Sequence, residues 1–522
     1  MVQVRPAAVV VLAAGEGARM QSSTPKVLHE LAGRSLLGHV VHAAATLRPR
    51  NLAVVVGHES SRVSEHLHQV IAPELDPSVV ATLSTPFQKQ QAGTGNAVAV
   101  ACQALAEERL DAGEHMVVLN ADTPLLRPQT LRQLLQQHVD SGAAATVATS
   151  VPPNPHGLGR ILRTPESDLI GIVEQKDATP AQRAIDEVST GVFVFDTAAL
   201  RRMLPLLSTD NEQQQEYLTD VIGLLREDAD HGRVVQAHRI SDYREALGCN
   251  DQVELAALRT LLRDQIATDW MRRGVTIIDP ATVWLDVTTQ LAPDVIIAPN
   301  VQLYGATSVA SGARVGPDTT LIDTRVGANT RIARSHAESA NIGDGCSVGP
   351  FSYLRPGTVL GSGAKIGAYV EVKNSQLGID VKVPHLSYIG DATVGEGTNI
   401  GAASVVVNYD GVAKHRTTIG QHCRTGSNTM FVAPVNIGDG AYTAAGSVIT
   451  SDVPPGALAV ARGEQRNIAG WVFRRRAGSA AARAAARAYK QTEREDPSPE
   501  VTPTHNVIGM PDNDTTCNDP GA

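Results

Sequence analysis

The sequence predicts two unlike folds in one chain: an α/β domain with a Rossmann-like, mostly parallel sheet, followed by a parallel β-helix of hexapeptide repeats. Three observations predict it. Through about residue 250 short apolar runs alternate with helix-like stretches, the βαβ rhythm. Beyond Gly274, aliphatic-Gly pairs recur at steps of six or near-multiples of six, as from Ile342 to Val348, Leu360 to Ile366 and Val394 to Ile400. The chain is 42% hydrophobic but only 3% aromatic, so at least one core is built from small and β-branched aliphatics.

Taken in order, Val9–Leu12, Leu52–Val56 and Met116–Leu119 read as strands, and Val27–Leu47, Ala97–Glu108 and Leu125–His138 contain the helical stretches between and after them. Ligands of such sheets sit beyond the carboxyl ends of the strands, so chemistry is expected just after Leu12, Val56 and Leu119. Asp251–Arg273 reads as one helix, with Val253, Leu255, Leu258, Leu261, Leu262 and Ile266 at helical period, and as a rigid connector. In the hexapeptide region each aliphatic residue points inward and three hexapeptides close one triangular coil of about 18 residues. A prism this narrow is expected to exclude large rings. Between Ile400 and Ile419 the period breaks at Asn408-Tyr409-Asp410-Gly411, and loops that leave a strict solenoid tend to be functional. After Trp471 an Arg/Ala-rich helix is expected, then a disordered polar tail. The boundaries are therefore 1–250, a helical linker 251–274, 275–470, and a basic helix with tail 471–522.

Composition narrows the function classes. Net charge is −9, with 45 basic and 54 acidic residues, so nucleic acid is not expected as a partner. The five cysteines are odd in number, far apart and without CxxC spacing, which points to a reducing cytoplasm rather than to a disulfide framework or a zinc site. No apolar run is long enough for a membrane span, and no membrane association is expected.

The first loop is LAAGEGARM followed by QSSTPK. Its glycines let backbone N–H groups approach a phosphate, and Arg19 and Lys26 can offset polyphosphate charge. The spacing fits neither GxGxxG nor a Walker loop. The whole string, with QxxxxGTG at Gln88–Gly95, resembles the signature of sugar-1-phosphate nucleotidylyltransferases. Together with the downstream repeats, it resembles the bacterial bifunctional family that joins N-acetylglucosamine-1-phosphate uridylyltransferase to glucosamine-1-phosphate N-acetyltransferase. The resemblance covers roughly residues 7–470.

The resemblance implies an N-terminal nucleotidyltransferase domain and a left-handed β-helix. It implies that Leu12, Ala13, Ala14, Gly15, Lys26 and Gln88, with Gly93 and Thr94, hold UTP. Asn120, Ala121, Asp122, Gly159, Glu174, Ser189 and Asn250 would complete the uridine diphosphate sugar site, Arg19 and Lys26 acting in catalysis and Asp122 and Asn250 holding Mg²⁺. In-line attack of one polyanion on another needs such cations and a metal. Three positions depart from the family pattern: Ala121 stands where Gly precedes the metal-binding Asp, Ser189 where Asn is usual, and Leu158 where an aromatic is usual. Ala121 is expected to cost stability if its φ must be positive, and Ser189 to weaken the hold on the sugar.

In the second half the strings LRPG, VEVKNS, KVPHLSYIGD, TNIGA, VVNYDG and TGSNTMFVAP resemble the acetyltransferase part. They imply His385 as general base, since the glucosamine amine must be neutral to attack acetyl-CoA. By the same matching, Arg355, Lys373, Tyr388 and Asn399 hold glucosamine 1-phosphate, and Ala402, Asn408, Tyr409, Ser427, Ala445 and Arg462 hold acetyl-CoA. The implied enzyme acetylates glucosamine 1-phosphate, then transfers UMP from UTP to N-acetylglucosamine 1-phosphate, releasing pyrophosphate. Such hexapeptide enzymes are homotrimers with sites between prisms. The alternative is a single-activity nucleotidylyltransferase with a scaffolding β-helix, for which His385 is dispensable.

Overall fold

The computed structural model describes residues 4–107, 114–228 and 234–495. The chain forms two units, Met1–Ala461 and Arg462–Ala522. The predicted disordered tail lies, from residue 496 on, outside the described residues.

The N-terminal half is a nine-stranded sheet of β1 (Ala8–Ala13), β2 (Asn51–Val56), β3 (Leu83–Ser84), β4 (His115–Asn120), β5 (Ala145–Ser150), β6 (Arg160–Arg163), β7 (Leu169–Val173), β8 (Val188–Asp196) and β9 (Val235–Arg239). Its main order is β9-β5-β8-β4-β1-β2-β3, with β6 and β7 as an antiparallel hairpin off β8. β1 lies between β2 and β4 and is parallel to both, while β8 runs antiparallel to β4 and β5. β1, AVVVLA, is almost wholly buried because helices cover both faces, which is why it reads as a continuous apolar run. The carboxyl ends of β1 and β4 therefore sit side by side.

Val27–Leu47 is more broken than its sequence pattern: a short helical turn at Lys26–Leu28, a two-stranded hairpin of Glu30–Leu31 with Arg34–Ser35, then the helix Leu36–Ala45. Ser35 caps that helix through its hydroxyl, which accepts from the Gly38 N–H at 3.0 Å. The long helix Gln252–Arg272 is capped by Asp251, whose carboxylate accepts from Val253 N and Glu254 N. It is more than a connector. Leu255, Leu258 and Leu262 bury with Met20, Leu31, Leu36, Leu125 and Cys249 in one cluster, and just before the helix the Asn250 N–H donates to Glu254 Oε2 at 2.7 Å.

From Thr276 the chain winds into a three-sided β-helix of short parallel strands. The repeat aliphatics Val315, Val326, Ile342, Val348, Leu360, Ile366, Leu377, Val394, Ile400, Ile419 and Ile437 all point into its core. After a first step of 20 residues, Thr276↔Ile296, successive coils up to the excursion pair at steps of 16 to 18, from Arg331↔Ser347 to Ile296↔Arg314. Between Val394 and Ile419, paired on adjacent coils, the step lengthens to admit the predicted excursion, closed by an antiparallel bridge Tyr409↔Lys414.

The expectation that no large ring fits inside is overturned at Phe431, fully buried in this core on the strand Met430–Val432. Its coil follows the excursion, and the neighbouring inward residue, Val406, is small enough to leave it room. The basic helix differs from expectation too: it is two pieces, Trp471–Arg475 and Ala480–Glu495, separated at Gly478, whose φ is +74°.

Candidate active sites

A cavity of about 290 Å³ opens where β1 and β4 end. Leu12, Ala13, Ala14, Gly15, Lys26, Gln88, Gly93, Thr94, Asn120 and Asp122 all line it. Its floor is made by backbone exchange: Gly95 N donates to Glu216 O at 2.8 Å and Glu216 N to Ala92 O at 2.7 Å. Gly93, at φ +116°, lies so close to Glu216 that a Cβ would collide with that residue's carbonyl oxygen. Thr94 starts the helix Thr94–Glu107, and its hydroxyl accepts from Leu218 N at 3.0 Å. The buried Gln88 donates through Nε2 to Gly93 O and Asn96 Oδ1, both at 3.1 Å, so its Oε1 is the atom left to accept from a ligand. A Cβ on Gly15 would meet only open space, as suits backbone that a ligand approaches.

At the mouth of this cavity four predicted residues converge. The Lys26 ammonium sits 2.5 Å from Asp122 Oδ2 and 3.1 Å from Asn250 Oδ1, and Arg19 Nη2 donates to Asn250 Oδ1 at 2.8 Å. Asp122 follows β4; its carbonyl accepts from Cys249 N at 3.1 Å, which brings Asn250 alongside. Two hard oxygen donors thus already face one cation, the donor set of an ion that takes its remaining ligands from water and phosphate.

Ala121 is not among the residues with positive φ; its N–H donates to Leu12 O at 3.1 Å. The expected cost of an alanine there does not arise. Ser189, on β8, is buried and its hydroxyl accepts from the Gly191 N–H at 3.3 Å, a local turn rather than a reach into the cavity. Gly159 packs on Ile172 and on Glu174, whose carboxyl burial pushes up against an opposing hydrogen bond from the Thr219 hydroxyl at 3.0 Å. These three are positioned by the antiparallel β6–β8 region and are not cavity-lining residues. Leu158 is half-buried, and its carbonyl accepts from the Arg160 guanidinium. Sequence reasoning missed Gln91, whose Nε2 donates to Ala14 O at 3.1 Å, and Gln215. Gln91 sits inside the QxxxxGTG string, but nothing in the sequence near Gln215 marks it.

The second set gathers on the β-helix. Arg355 Nη1 donates to Glu371 Oε1 at 2.8 Å, and Lys373 Nζ lies 3.1 Å from Asp391 Oδ2. The neighbouring Lys373 amine, by close contact and then by charge, pulls Lys414 below its ordinary range, burial adds to this, and the charge of Arg355 contributes least. Lys414 was not anticipated; it is carried by the excursion beside Tyr409. Asn408 Nδ2 donates to Asp391 Oδ2 at 2.5 Å and to Tyr388 OH at 3.4 Å, joining the excursion to the same cluster.

His385 ends the strand Lys382–His385 and is exposed; its carbonyl accepts from Ser387 Oγ at 2.7 Å and Ala403 N at 3.1 Å. Asn399 bridges Lys382 and Arg424 on the neighbouring coils of that same face. Ala402, Ser427 and Ala445 stack at one corner on successive coils, with Asn428 N donating to Ala402 O and Gly446 N to Ser427 O. Tyr409 is exposed on the excursion, its hydroxyl donating to Gly411 O at 2.7 Å. Arg462 begins the second unit.

Residues 9–185 match the MobA-like NTP transferase domain, and 339–374 and 416–451 match the bacterial transferase hexapeptide (six repeats). The chain is 55% identical over 497 residues to the bifunctional protein GlmU of Streptomyces avermitilis, covering 95% of this chain and all of that protein. The chain belongs to the GlmU family. It is 51% identical over 502 residues to the GlmU of Mycobacterium bovis (strain BCG / Pasteur 1173P2), covering 95% of this chain and 99% of that one. Against the GlmU of Corynebacterium aurimucosum it is 51% identical over 488 residues, 94% of this chain and 98% of that protein.

GlmU proteins join an N-terminal nucleotidyltransferase to a C-terminal hexapeptide acetyltransferase, and both halves are present here. The bifunctional reading therefore stands over the single-activity one. No helix among the described residues is long and apolar enough to cross a membrane.

Proposed function

We propose that the two residue clusters are the two active sites of a GlmU enzyme that makes UDP-N-acetylglucosamine from glucosamine 1-phosphate, acetyl-CoA and UTP. The observation that supports it is convergence: residues scattered over 12–250 meet at one cavity mouth, and residues scattered over 355–414 meet on one prism.

In the first site Leu12–Gly15, Gln88, Gly93 and Thr94 seat the uridine end of UTP. Arg19 and Lys26 offset the charge of triphosphate and sugar phosphate as an N-acetylglucosamine 1-phosphate oxygen attacks the α-phosphorus in line and pyrophosphate leaves. Asp122 and Asn250 would hold Mg²⁺, which when bound stabilises charge on the phosphate oxygens. Asn120, Ala121, Gly159, Glu174 and Ser189 shape the sugar side.

In the second site Arg355, Lys373 and Lys414 receive the phosphate of glucosamine 1-phosphate, and Tyr388 and Asn399 fix the hexose. His385 takes a proton from the amine as it attacks the thioester carbonyl, and the coenzyme A thiolate leaves. Asn408, Tyr409, Ala402, Ser427 and Ala445 hold acetyl-CoA.

A homotrimer is the proposed assembly. Phe351, Tyr369 and Leu386 form an exposed apolar ridge beside His385, each more than half exposed and at φ of 59°, 58° and 53°. An exposed apolar ridge of this kind supports burial against another copy. The proposed location is the cytoplasm, in keeping with four buried free thiols, Cys102, Cys249, Cys346 and Cys423.

The test is a pair of assays on the full chain and on His385→Ala: thiol release from acetyl-CoA with glucosamine 1-phosphate, and pyrophosphate release from UTP with N-acetylglucosamine 1-phosphate. Loss of thiol release alone is the expected result. Full thiol release by His385→Ala would remove His385 as the base.

A further inference from the structure

The corner aspartates of the β-helix have a common structural use. Asp323 accepts from Ala306 N, Asp344 from Ala328 N, Asp439 from Gln421 N and Asp452 from Asn436 N, each binding the backbone of a neighbouring coil. Asp318, at the surface, instead takes the Asn300 amide and Arg334, and Asp391 also departs from this pattern but is buried. Its buried carboxylate accepts only from side chains: Asn374 Nδ2 at 2.6 Å, Asn408 Nδ2 at 2.5 Å and Lys373 Nζ at 3.1 Å.

Two of those three donors belong to opposite sides of the acyl transfer assigned above. Lys373 is a cation for the sugar phosphate, whereas Asn408 belongs to the excursion that receives acetyl-CoA. We propose that Asp391 is a positioning residue of the acetyltransferase site, a single buried carboxylate that fixes the acceptor-side ammonium of Lys373 and the donor-side amide of Asn408 in one geometry.

The chemistry is consistent with that role. A carboxylate can accept up to four hydrogen bonds, so one group can hold three donors at once, and charge-assisted bonds to buried carboxylates are among the stronger ones. Burial works against the ionised form of Asp391, but the three donors outweigh it and hold the carboxyl below its ordinary range. Its charge also favours the charged forms of Lys373 and of the neighbouring Lys414. An amide in its place removes the negative charge and, with its oxygen kept toward Lys373 and Asn408, turns its NH₂ group toward the Asn374 amide that donates to Oδ1.

The inference rests on the assignment of Lys373 and Asn408 to the two substrates, and the experiment separates the two ideas. Steady-state kinetics of thiol release by Asp391→Asn should show KM for glucosamine 1-phosphate and KM for acetyl-CoA rising together. Each rise should be about tenfold or more, the scale of one lost charge-assisted hydrogen bond, with kcat changed far less. Pyrophosphate release by the same preparation should equal that of wild type. Unchanged KM values, or a rise in only one of them, would overturn the bridge; so would a fall in kcat with both KM values intact, the mark of a merely structural residue.

Because Asp391→Asn can fail to fold, a second measurement keeps Asp391 in place: Lys373→Met, Asn408→Ser and their double variant. Groups sharing one carboxylate should be non-additive in kcat/KM by more than about threefold, and strict additivity would refute the coupling. Lys373→Met with a wild-type KM for glucosamine 1-phosphate would bring down the substrate assignment and the bridge together. An impaired Lys373→Met beside a wild-type-like Asp391→Asn would bring down the bridge alone.

Discussion

Gly93→Ala isolates the floor of the cavity proposed to hold UTP. Gly93 has φ +116°, and a Cβ there would lie 2.8 Å from Glu216 N and 3.0 Å from Gln215 Cβ, besides striking the Glu216 carbonyl oxygen. The backbone conformation alone costs a non-glycine residue about 1–3 kcal/mol. Relieving the collision means moving the 92–95 segment away from residue 216 by about 1 Å, since ordinary carbon contacts begin near 3.5 Å. That movement breaks the pair of bonds Gly95 N to Glu216 O and Glu216 N to Ala92 O, each contributing about 0.5–1.5 kcal/mol. The local cost is thus about 2–6 kcal/mol, and it falls on the wall that holds Thr94 and the Gln88 amide.

A displacement of that size near bound substrate lowers turnover about 10²-fold. The expected outcome is a fall of that order in kcat/KM for pyrophosphate release, with thiol release unchanged because the floor is built from segments 88–96 and 215–218 of the N-terminal half. Both reactions are measured on one preparation. A kcat/KM for pyrophosphate release within threefold of wild type would refute the reasoning, and equal loss of both activities would show that the damage is global rather than local.

Ser189→Asn should lower KM for N-acetylglucosamine 1-phosphate severalfold, because the present hydroxyl is turned back to Gly191 N while a longer amide extends beyond that turn; a KM indistinguishable from wild type in saturation curves would count against it. His39 is a buried base whose imidazole burial holds down to about 4, with Nε2 2.7 Å from Leu31 O. Its folded value lies below the unfolded one near 6.5, so its contribution is fully present above pH 6.5 and is lost as pH falls toward 4, by up to about 3 kcal/mol. His39→Gln keeps a donor for Leu31 O but does not titrate, so its melting temperature should fall less between pH 6.5 and 4 than that of wild type; parallel curves would exclude His39 as the source.

Much of the fold is legible in the residues because its signals are local. The step of six places Ile342, Val348, Leu360 and Ile366 inward whatever surrounds them, since only a period that closes a three-sided coil buries all of them at once. The strand signal of Val9–Leu12 is equally local, and the loop after it can be marked as phosphate-facing from its glycines. Phe431 was not legible, because whether a ring fits inside depends on the volume left by residues a coil away, such as Val406. Nor was the hairpin within Val27–Leu47, where packing under Leu31 and Leu36 overrides the apolar period.

The sites divide the same way. Lys26, Asp122, Asn250, Arg355, Lys373 and His385 are marked in the sequence by the strings that carry them, so the class of chemistry and most of the proposed site residues were legible there. What only the tertiary structure decided is which groups come together: that Lys26 lies between Asp122 and Asn250, that Gln215 lines the cavity at the ends of β1 and β4, that Lys414 lies near Lys373, and that Asp391 ties Lys373 to Asn408. Residue type and spacing along the chain fix what a group can do. Hydrogen bonds and charge repulsion depend on separations of a few ångströms between residues far apart in sequence, and those separations exist only once the sheet and the coils have packed.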